Sequence, residues 1–100
     1  MLDVKKIKRF QWDHGNERKS SDKHIVSREE AEQIFFNQPL LLLEDKAHSQ
    51  KEIRFHALGK TDSNRKLHIS FTIREMAIRV ISVRPMHKKE RNSYEKSSRI

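Results

Sequence analysis

The chain has 100 residues, which is enough for one domain with its own hydrophobic core and too few for two. It contains no cysteine, no apolar run typical of a signal peptide and no stretch of roughly 20 apolar residues, so disulfides, thiolate metal sites and a membrane span are excluded and a cytoplasmic protein is expected. The 22 Lys and Arg residues against 14 Asp and Glu give a formal charge of +8, which favours contact with nucleic acid, with an acidic protein partner or a solubilising surface as alternatives.

The N-terminal third predicts one strand and two helices. Residues 8–12 predict a short first strand, in which Phe10 and Trp12 face away from Gln11. A polar helix follows over residues 14–23, with Asp13 in the N-cap position.

A capping box marks the start of the second helix. Ser27-Arg28-Glu29-Glu30 has the pattern S-x-x-E, in which the serine caps the amide three residues on and the glutamate reaches back. Ala31, Ile34 and Phe35 have helical spacing and predict a buried stripe, and Pro39 ends the helix.

The second half has the period of strands. Residues 40–43 form a short apolar run that suits a buried strand, and Ile53, Phe55 and Ala57 alternate with polar residues up to Gly59. Residues 67–74 show the clearest alternation in the chain, and residues 76–84 are apolar on both sides except for Arg79. Pro85 ends this last strand, and residues 87–96 predict a charged helix.

The order of elements predicts an α+β fold: a short first strand, two helices, an antiparallel meander of four strands and a C-terminal helix. One domain is expected, with a core at about residues 8–95 and a short flexible tail at 96–100. We expect one face of the sheet to pack on the helices. The other face would be open to solvent or a ligand and carries Arg54, His56, Ser70, Thr72 and Arg74.

Metal and cofactor chemistry is not indicated by the sequence. The six histidines lack the spacing H-x-x-x-H or H-E-x-x-H, and two glycines, Gly15 and Gly59, cannot form a phosphate-binding loop. We therefore expect neither a metal nor a cofactor.

The chemistry that the sequence does support depends on positively charged side chains. Cleavage of RNA needs no metal if the 2′-hydroxyl is the nucleophile and the protein neutralises the charge that develops on the phosphate. Arginine suits that task, and Arg74, Arg79, Arg84 and Arg91 would converge on one phosphate if the strand faces align. Each also has a structural alternative, such as an ion pair of Arg91 with Glu95.

Three further candidates have structural explanations of their own. Glu30 already takes part in the capping box, and His24 lies where it would satisfy a helix dipole. Tyr94 has three alternative roles: stacking on a base, proton transfer, or packing against the sheet, of which packing is favoured.

Seven sequence blocks, read in order, resemble the BrnT family of toxins. Four of them are Phe10-Gln11-Trp12-Asp13, Lys23-His24-Ile25-Val26, Asn37-Gln38-Pro39 and His48-Ser49-Gln50-Lys51-Glu52-Ile53-Arg54-Phe55-His56-Ala57-Leu58-Gly59. The other three are Phe71-Thr72-Ile73-Arg74, Ile78-Arg79-Val80-Ile81-Ser82-Val83-Arg84 and Glu90-Arg91-Asn92-Ser93-Tyr94-Glu95. The resemblance covers about residues 10–95. Ile25 stands where the family has glycine, and Asn37-Gln38 stands where it has an acidic pair.

This resemblance implies a RelE-like fold and a cytoplasmic ribonuclease that arrests translation by cutting RNA without a cofactor. It also implies a cognate antitoxin, BrnA, with a ribbon-helix-helix DNA-binding end, so that operator DNA is contacted only through the toxin–antitoxin complex. The residues that we assign to catalysis are Arg74, Arg84, Arg79, Tyr94, Lys23 and Glu30. Those assigned to RNA binding are Arg54, His24, Arg91, His56 and Lys88.

Two other functions remain open: a module that grips nucleic acid without cutting it, and a protein whose basic face serves only to receive an antitoxin. The catalytic interpretation predicts that Arg74 and Arg84 lie at the surface and that their charges are not used in contacts with the core. Replacing either with alanine would then remove activity and leave the fold intact.

Overall fold

The strands and helices follow the predicted order over the ranges that the structure covers. This computed structural model describes residues 9–12, 26–48 and 52–98, so the helix predicted over residues 14–23 lies outside the described residues. The elements are β1 (Arg9–Gln11), α1 (Arg28–Gln33), β2 (Leu41–Glu44), a 3-10 turn (Lys46–His48), β3 (Arg54–Lys60), β4 (Lys66–Arg74), β5 (Ala77–Pro85) and α2 (Lys88–Ser98). No helix in these ranges is long and apolar enough to cross a membrane.

The sheet has five strands in the order β1-β5-β4-β3-β2. Strands β2 to β5 form the predicted antiparallel meander, with Arg54 opposite Thr72, and Thr72 opposite Arg79. The first strand joins the other edge and runs parallel to β5, with Phe10 beside Ile78. The α+β architecture is therefore confirmed, with a parallel edge pair that the sequence did not indicate.

Helix α1 packs on one face of the sheet and closes the core. Ser27 and Glu30 form both hydrogen bonds of the capping box, and Ala31, Ile34 and Phe35 are buried as predicted. Phe35 meets Phe71 edge to face, with ring centroids 5.3 Å apart. These contacts bury the alternating apolar side chains of β4 against the helix.

Gly59 allows α1 to approach the sheet closely. A Cβ atom at this position would lie 2.9 Å from Cβ of Ile34 and 3.1 Å from its carbonyl oxygen. Real Cβ atoms essentially never come within 3.0 Å of another atom, so a larger residue would force the segment around Ile34 away from β3.

The opposite face of the sheet is only partly open, which corrects the expectation that it is left entirely to solvent or a ligand. Helix α2 covers one end of it through a second buried cluster of Leu58, Met86 and Tyr94, with Leu41 packed against it. Alternation along β2 and β3 places Leu41 and Leu58 on the same face as His56. The C-terminal helix therefore packs against apolar side chains on the face that was predicted to be polar.

Several element boundaries differ from prediction. Strand β2 lies at the sheet edge and is not buried, since Leu43 is 60% exposed. Glu75 and Met76 form the β4–β5 turn with positive φ, so Met76 precedes β5 instead of beginning it. Helix α2 extends to Ser98, into the segment expected to be a flexible tail, and α1 ends at Gln33, well before Pro39.

Candidate functional site

Three arginines from three adjacent strands lie on the face of the sheet that carries α2, toward the end that the helix leaves uncovered. Arg54, Arg74 and Arg79 belong to β3, β4 and β5, and the pairing register places them on one side. Glu52, just before β3, bonds to Arg74 with both carboxylate oxygens: Nε donates to Oε2 at 2.7 Å and Nη2 donates to Oε1. These four side chains are called the arginine cluster below.

The arginine cluster is electrostatically coupled. The hydrogen bond from Arg74 lowers the pKa of Glu52, and the charges of Arg74, Arg79 and Arg54 lower it further. The same hydrogen bond raises the pKa of Arg74. Three positive charges and one negative charge give these four side chains a net charge of +2. The cluster therefore already accommodates one oxyanion and retains an excess of positive charge.

A cleft of about 600 Å³ lies beside the arginine cluster, between the same face of the sheet and α2. It is called the histidine cleft below. Leu43 and Leu58 line it on the apolar side, and its polar lining is made of His56, His68, Ser70, Ser82, Arg84, Lys89, Glu90 and Ser93.

Hydrogen bonds fix both histidines of the cleft. His56 Nε2 lies 3.0 Å from Oδ2 of Asp45, and its Nδ1 lies 3.0 Å from Nε2 of His68 and 3.3 Å from the hydroxyl of Ser70. Burial lowers the pKa of His68 to about 4; the charge of Arg84 acts in the same direction, and that of Glu90 opposes it. His68 is therefore neutral at physiological pH, and its Nδ1 is buried with no hydrogen-bond partner among the described residues.

Arg84 is bound to a carboxylate on α2. Its Nη1 and Nη2 donate to Glu90 Oε1 and Oε2 at 2.8 and 3.0 Å. Glu90 also accepts from the backbone N–H of His87. The hydrogen bond from Arg84 is the main cause that lowers the pKa of Glu90 to about 2. This pair anchors the start of α2 to the end of β5.

The positions of the arginines bear on two expectations. Arg74 is exposed and Arg84 is partly exposed, and their charges are paired with Glu52 and Glu90. Arg84 does not converge with Arg74 and Arg79 on one phosphate. It shares their face but lies opposite His68, five residues beyond Arg79 and about 15 Å further along the strand.

Tyr94 and Glu30 do not belong to either group. Tyr94 is buried, its hydroxyl donates to the carbonyl oxygen of Pro39 at 2.6 Å, and burial raises its pKa. Glu30 lies in the α1 layer, where it completes the capping box and pairs with Arg65 at 3.3 Å. Both side chains make structural contacts, and neither lies with the arginine cluster or lines the histidine cleft.

The remaining candidates are dispersed. Arg91 donates to the carbonyl oxygen of Met86, and Lys88 begins α2 as an exposed residue. His56 is the one RNA-binding candidate that lines the cleft. Lys23 and His24 lie outside the described residues.

Sequence reasoning missed the residues that organise both groups, chiefly Glu52, Asp45, His68 and Glu90. A signal existed for Glu52, which lies two residues before Arg54 in the quoted block. His68 alternates onto the polar face of β4, but its contact with His56 depends on the register between β3 and β4. Within the described ranges, no three His, Asp or Glu side chains form a group that could hold a metal ion.

Comparisons with known proteins agree on one family. A family model described as the ribonuclease toxin BrnT of type II toxin–antitoxin systems matches residues 12–90. The crystal structure of the ribonuclease toxin BrnT of Brucella abortus superposes with a TM-score of 0.62 at 19% identity, over 80% of this chain and 97% of that one. No curated protein sequence matches the chain significantly.

Proposed function

Because the chain belongs to the BrnT family of ribonuclease toxins of type II toxin–antitoxin systems, we propose that it is a metal-independent endoribonuclease whose arginine cluster binds the scissile phosphate of RNA. The family is one of toxins that act with an antitoxin partner. The proposal adds the site and the reaction by which this chain acts.

The arginine cluster is the observation that carries the proposal. Arg54, Arg74 and Arg79 come from three hydrogen-bonded strands, so the rigid sheet sets their spacing. Arg74 binds both oxygens of Glu52, and the charges of Arg54 and Arg79 act on the same carboxylate. A phosphate is also an anion and can likewise offer two oxygens to one guanidinium group. A phosphodiester that displaces or joins Glu52 would enter a site already arranged for oxyanions.

The chemistry follows from this arrangement. The 2′-oxygen of the ribose loses its proton and bonds to phosphorus, and the bond from phosphorus to the 5′-oxygen breaks as that oxygen takes a proton. Negative charge accumulates on the non-bridging oxygens in between, and preorganised guanidinium groups stabilise it. No metal is needed, since the RNA supplies the nucleophile and the arginines supply the charge.

The direct test is incubation of the purified chain with end-labelled RNA, with and without EDTA. We expect cleavage that EDTA leaves unchanged, and products with 2′,3′-cyclic phosphate or 3′-phosphate ends. Products with 5′-phosphate and 3′-hydroxyl ends, or activity that only Mg²⁺ restores, would contradict the mechanism.

The carboxylates bound to Arg74 and Arg84 favour one alternative, a module on the same fold that binds nucleic acid or the antitoxin without cutting. In that case RNA would stay uncut even at protein concentrations high enough to bind all of it. Binding without any cleavage over hours, with a confirmed native fold, would establish the alternative.

At the level of the cell, we propose that cleavage inhibits translation in the cytoplasm. We further propose that the partner is a BrnA-like antitoxin with a ribbon-helix-helix end, through which the complex contacts operator DNA. Induction of the chain alone should arrest growth, and co-induction of the partner should restore it. Growth unaffected by the chain at confirmed expression would contradict both statements.

A further inference from the structure

The histidine cleft has an apolar platform that the arginine cluster does not use. Leu43 on β2 and His56 on β3 are direct cross-strand partners, so their side chains lie next to each other. Leu43 is 60% exposed, and the side chain of His56 is 32% exposed. Together they present a partly exposed, partly apolar surface in the lining of the cleft.

Both ring nitrogens of His56 already have hydrogen-bond partners. Asp45 occupies Nε2, while His68 and Ser70 occupy Nδ1, so neither nitrogen is left to bond a ligand. The ring of His68 is tilted against it, with centroids 4.8 Å apart. An aromatic ring that is held in a fixed orientation and stays partly exposed is the kind of group on which proteins stack the bases of single-stranded RNA.

The rest of the cleft suits the edges of a base and a sugar-phosphate. Ser70, Ser82 and Ser93 contribute hydroxyls that can donate or accept hydrogen bonds. Lys89 contributes a positive charge at the rim. At about 600 Å³, the cleft has the size range of small-ligand sites.

The position of the cleft relates it to the arginine cluster. His56 lies two residues from Arg54 on the same face of β3, which is about 7 Å along the strand. This spacing is comparable with the length of one nucleotide. An RNA strand with a phosphate on the arginine cluster would therefore place a neighbouring base over the cleft.

We propose that the histidine cleft is a nucleobase-binding subsite, in which the base next to the scissile phosphate stacks on His56 and Leu43. The proposal rests on the proposed function for the identity of the ligand as RNA. It assigns to this chain a base-binding site next to the proposed phosphate site.

Base binding is tested on the full chain by NMR titration with the four nucleoside 5′-monophosphates, with ribose 5-phosphate as the probe that lacks a base. We expect the monophosphates to shift the ring signals of His56 and His68 and the methyl signals of Leu43, and ribose 5-phosphate to shift none of them. Equal shifts with ribose 5-phosphate would show a phosphate site and overturn the proposal.

Variants separate stacking from other roles of His56. His56→Ala should weaken nucleotide binding about 5- to 150-fold, the range for loss of one stacking contact, whereas His56→Phe should retain binding because it keeps an aromatic face. Leu43→Ala should also weaken binding. The matched control is Ile53→Ala, which removes a residue that is 54% exposed outside the cleft and should change nothing.

The outcomes distinguish this proposal from the proposed function. If RNA is cleaved but nucleotides leave the cleft signals unchanged, the subsite is wrong and the ribonuclease proposal stands. If nucleotides bind at His56 in a base-dependent way but RNA is not cleaved, the subsite stands and the ribonuclease proposal fails. Loss of binding in Ile53→Ala equal to that in Leu43→Ala would also overturn the subsite.

Discussion

Arg74 and Arg79 sit at exposed or partly exposed positions on the sheet, where truncation should spare the core. The ion pair of Arg74 with Glu52 is at the surface, and Arg79 is partly exposed, so Arg74→Ala and Arg79→Ala should each change stability by no more than about 0.5 kcal/mol. Loss of a preorganised charge donor should lower the cleavage rate on the order of 10²–10³. Melting temperature and cleavage rate, measured on the same preparations, check this.

Contrasting variants make that test decisive. Phe71→Ala should lose activity through unfolding, since it truncates a fully buried ring at a cost of about 3–5 kcal/mol. Arg84→Ala should lose about 1–2 kcal/mol of stability, because it leaves the carboxylate of Glu90 without its main partner. Wild-type cleavage by both Arg74→Ala and Arg79→Ala would show that the phosphate site is misplaced.

His68 predicts a pH dependence of stability. Its pKa is about 4 in the folded chain, because burial disfavours the charged ring, against 6.5 for a free histidine. Between these values the unfolded chain binds a proton that the folded chain does not, so stability should fall as the pH drops from about 6.5 to about 4. A shift of this size corresponds to about 3 kcal/mol.

Urea denaturation at several pH values measures this loss. The substitution His68→Gln should flatten the slope in that window, whereas His87→Gln, at an exposed site, should leave it unchanged. The carboxylates of Glu30, Glu52 and Glu90 have lowered pKa values, so the stability that they contribute should be lost only as the pH falls below about 4.5. Identical slopes for wild type and His68→Gln would contradict the assignment.

At the scale of elements, the contact between α1 and β3 depends on one glycine. Gly59→Ala should destabilise the chain by about 1–3 kcal/mol, because the added Cβ meets both the side chain and the backbone of Ile34. The double variant Gly59→Ala/Ile34→Ala should lose less than the sum of the single losses, since removing the Ile34 side chain relieves part of the clash. Strict additivity in a denaturation series would disprove this contact.

At the scale of the whole molecule, the charge of +8 predicts RNA binding that weakens with salt. Plotted as log affinity against log salt concentration, Arg79→Ala should reduce the slope by about 0.7, the expected value for one lost contact to a single strand. Lys96→Ala removes a charge from an exposed site toward the far end of α2 and should leave the slope unchanged. Equal changes in slope for the two variants would mean that RNA binds to the whole positively charged surface and not preferentially at the arginine cluster.

The same charge bears on the antitoxin. A toxin that must stay inactive should be held by a partner that covers its cationic face, so we expect a stable complex in which Arg74 is shielded and RNA no longer binds. Size-exclusion chromatography of the co-expressed pair, followed by RNA binding to the complex, measures both properties. Separate elution at micromolar concentration would argue against this form of neutralisation.

Local patterns in the sequence determined most of the architecture. The alternation over residues 67–74, the capping box at Ser27 and the buried stripe of α1 are all confirmed, because the period of apolar residues and the chemistry of a helix start act over a few positions. The family also followed from the sequence, through seven short blocks in a fixed order.

Only the tertiary structure decided how the chemistry-bearing residues combine. Strict alternation would put Arg79 and Arg84, five residues apart, on opposite faces, but an irregularity in the β4–β5 pairing at Ser70/Phe71 brings both to one face. The register also determines that Arg84 lies about 15 Å from Arg79 and beside His68. Helix α2 lies on the polar face because Leu41 and Leu58 provide an apolar surface there on which it packs. The pairing of Arg74 with Glu52 and of Arg84 with Glu90 joins residues from separate elements. Such contacts depend on how distant segments pack, and no local period in the sequence encodes them.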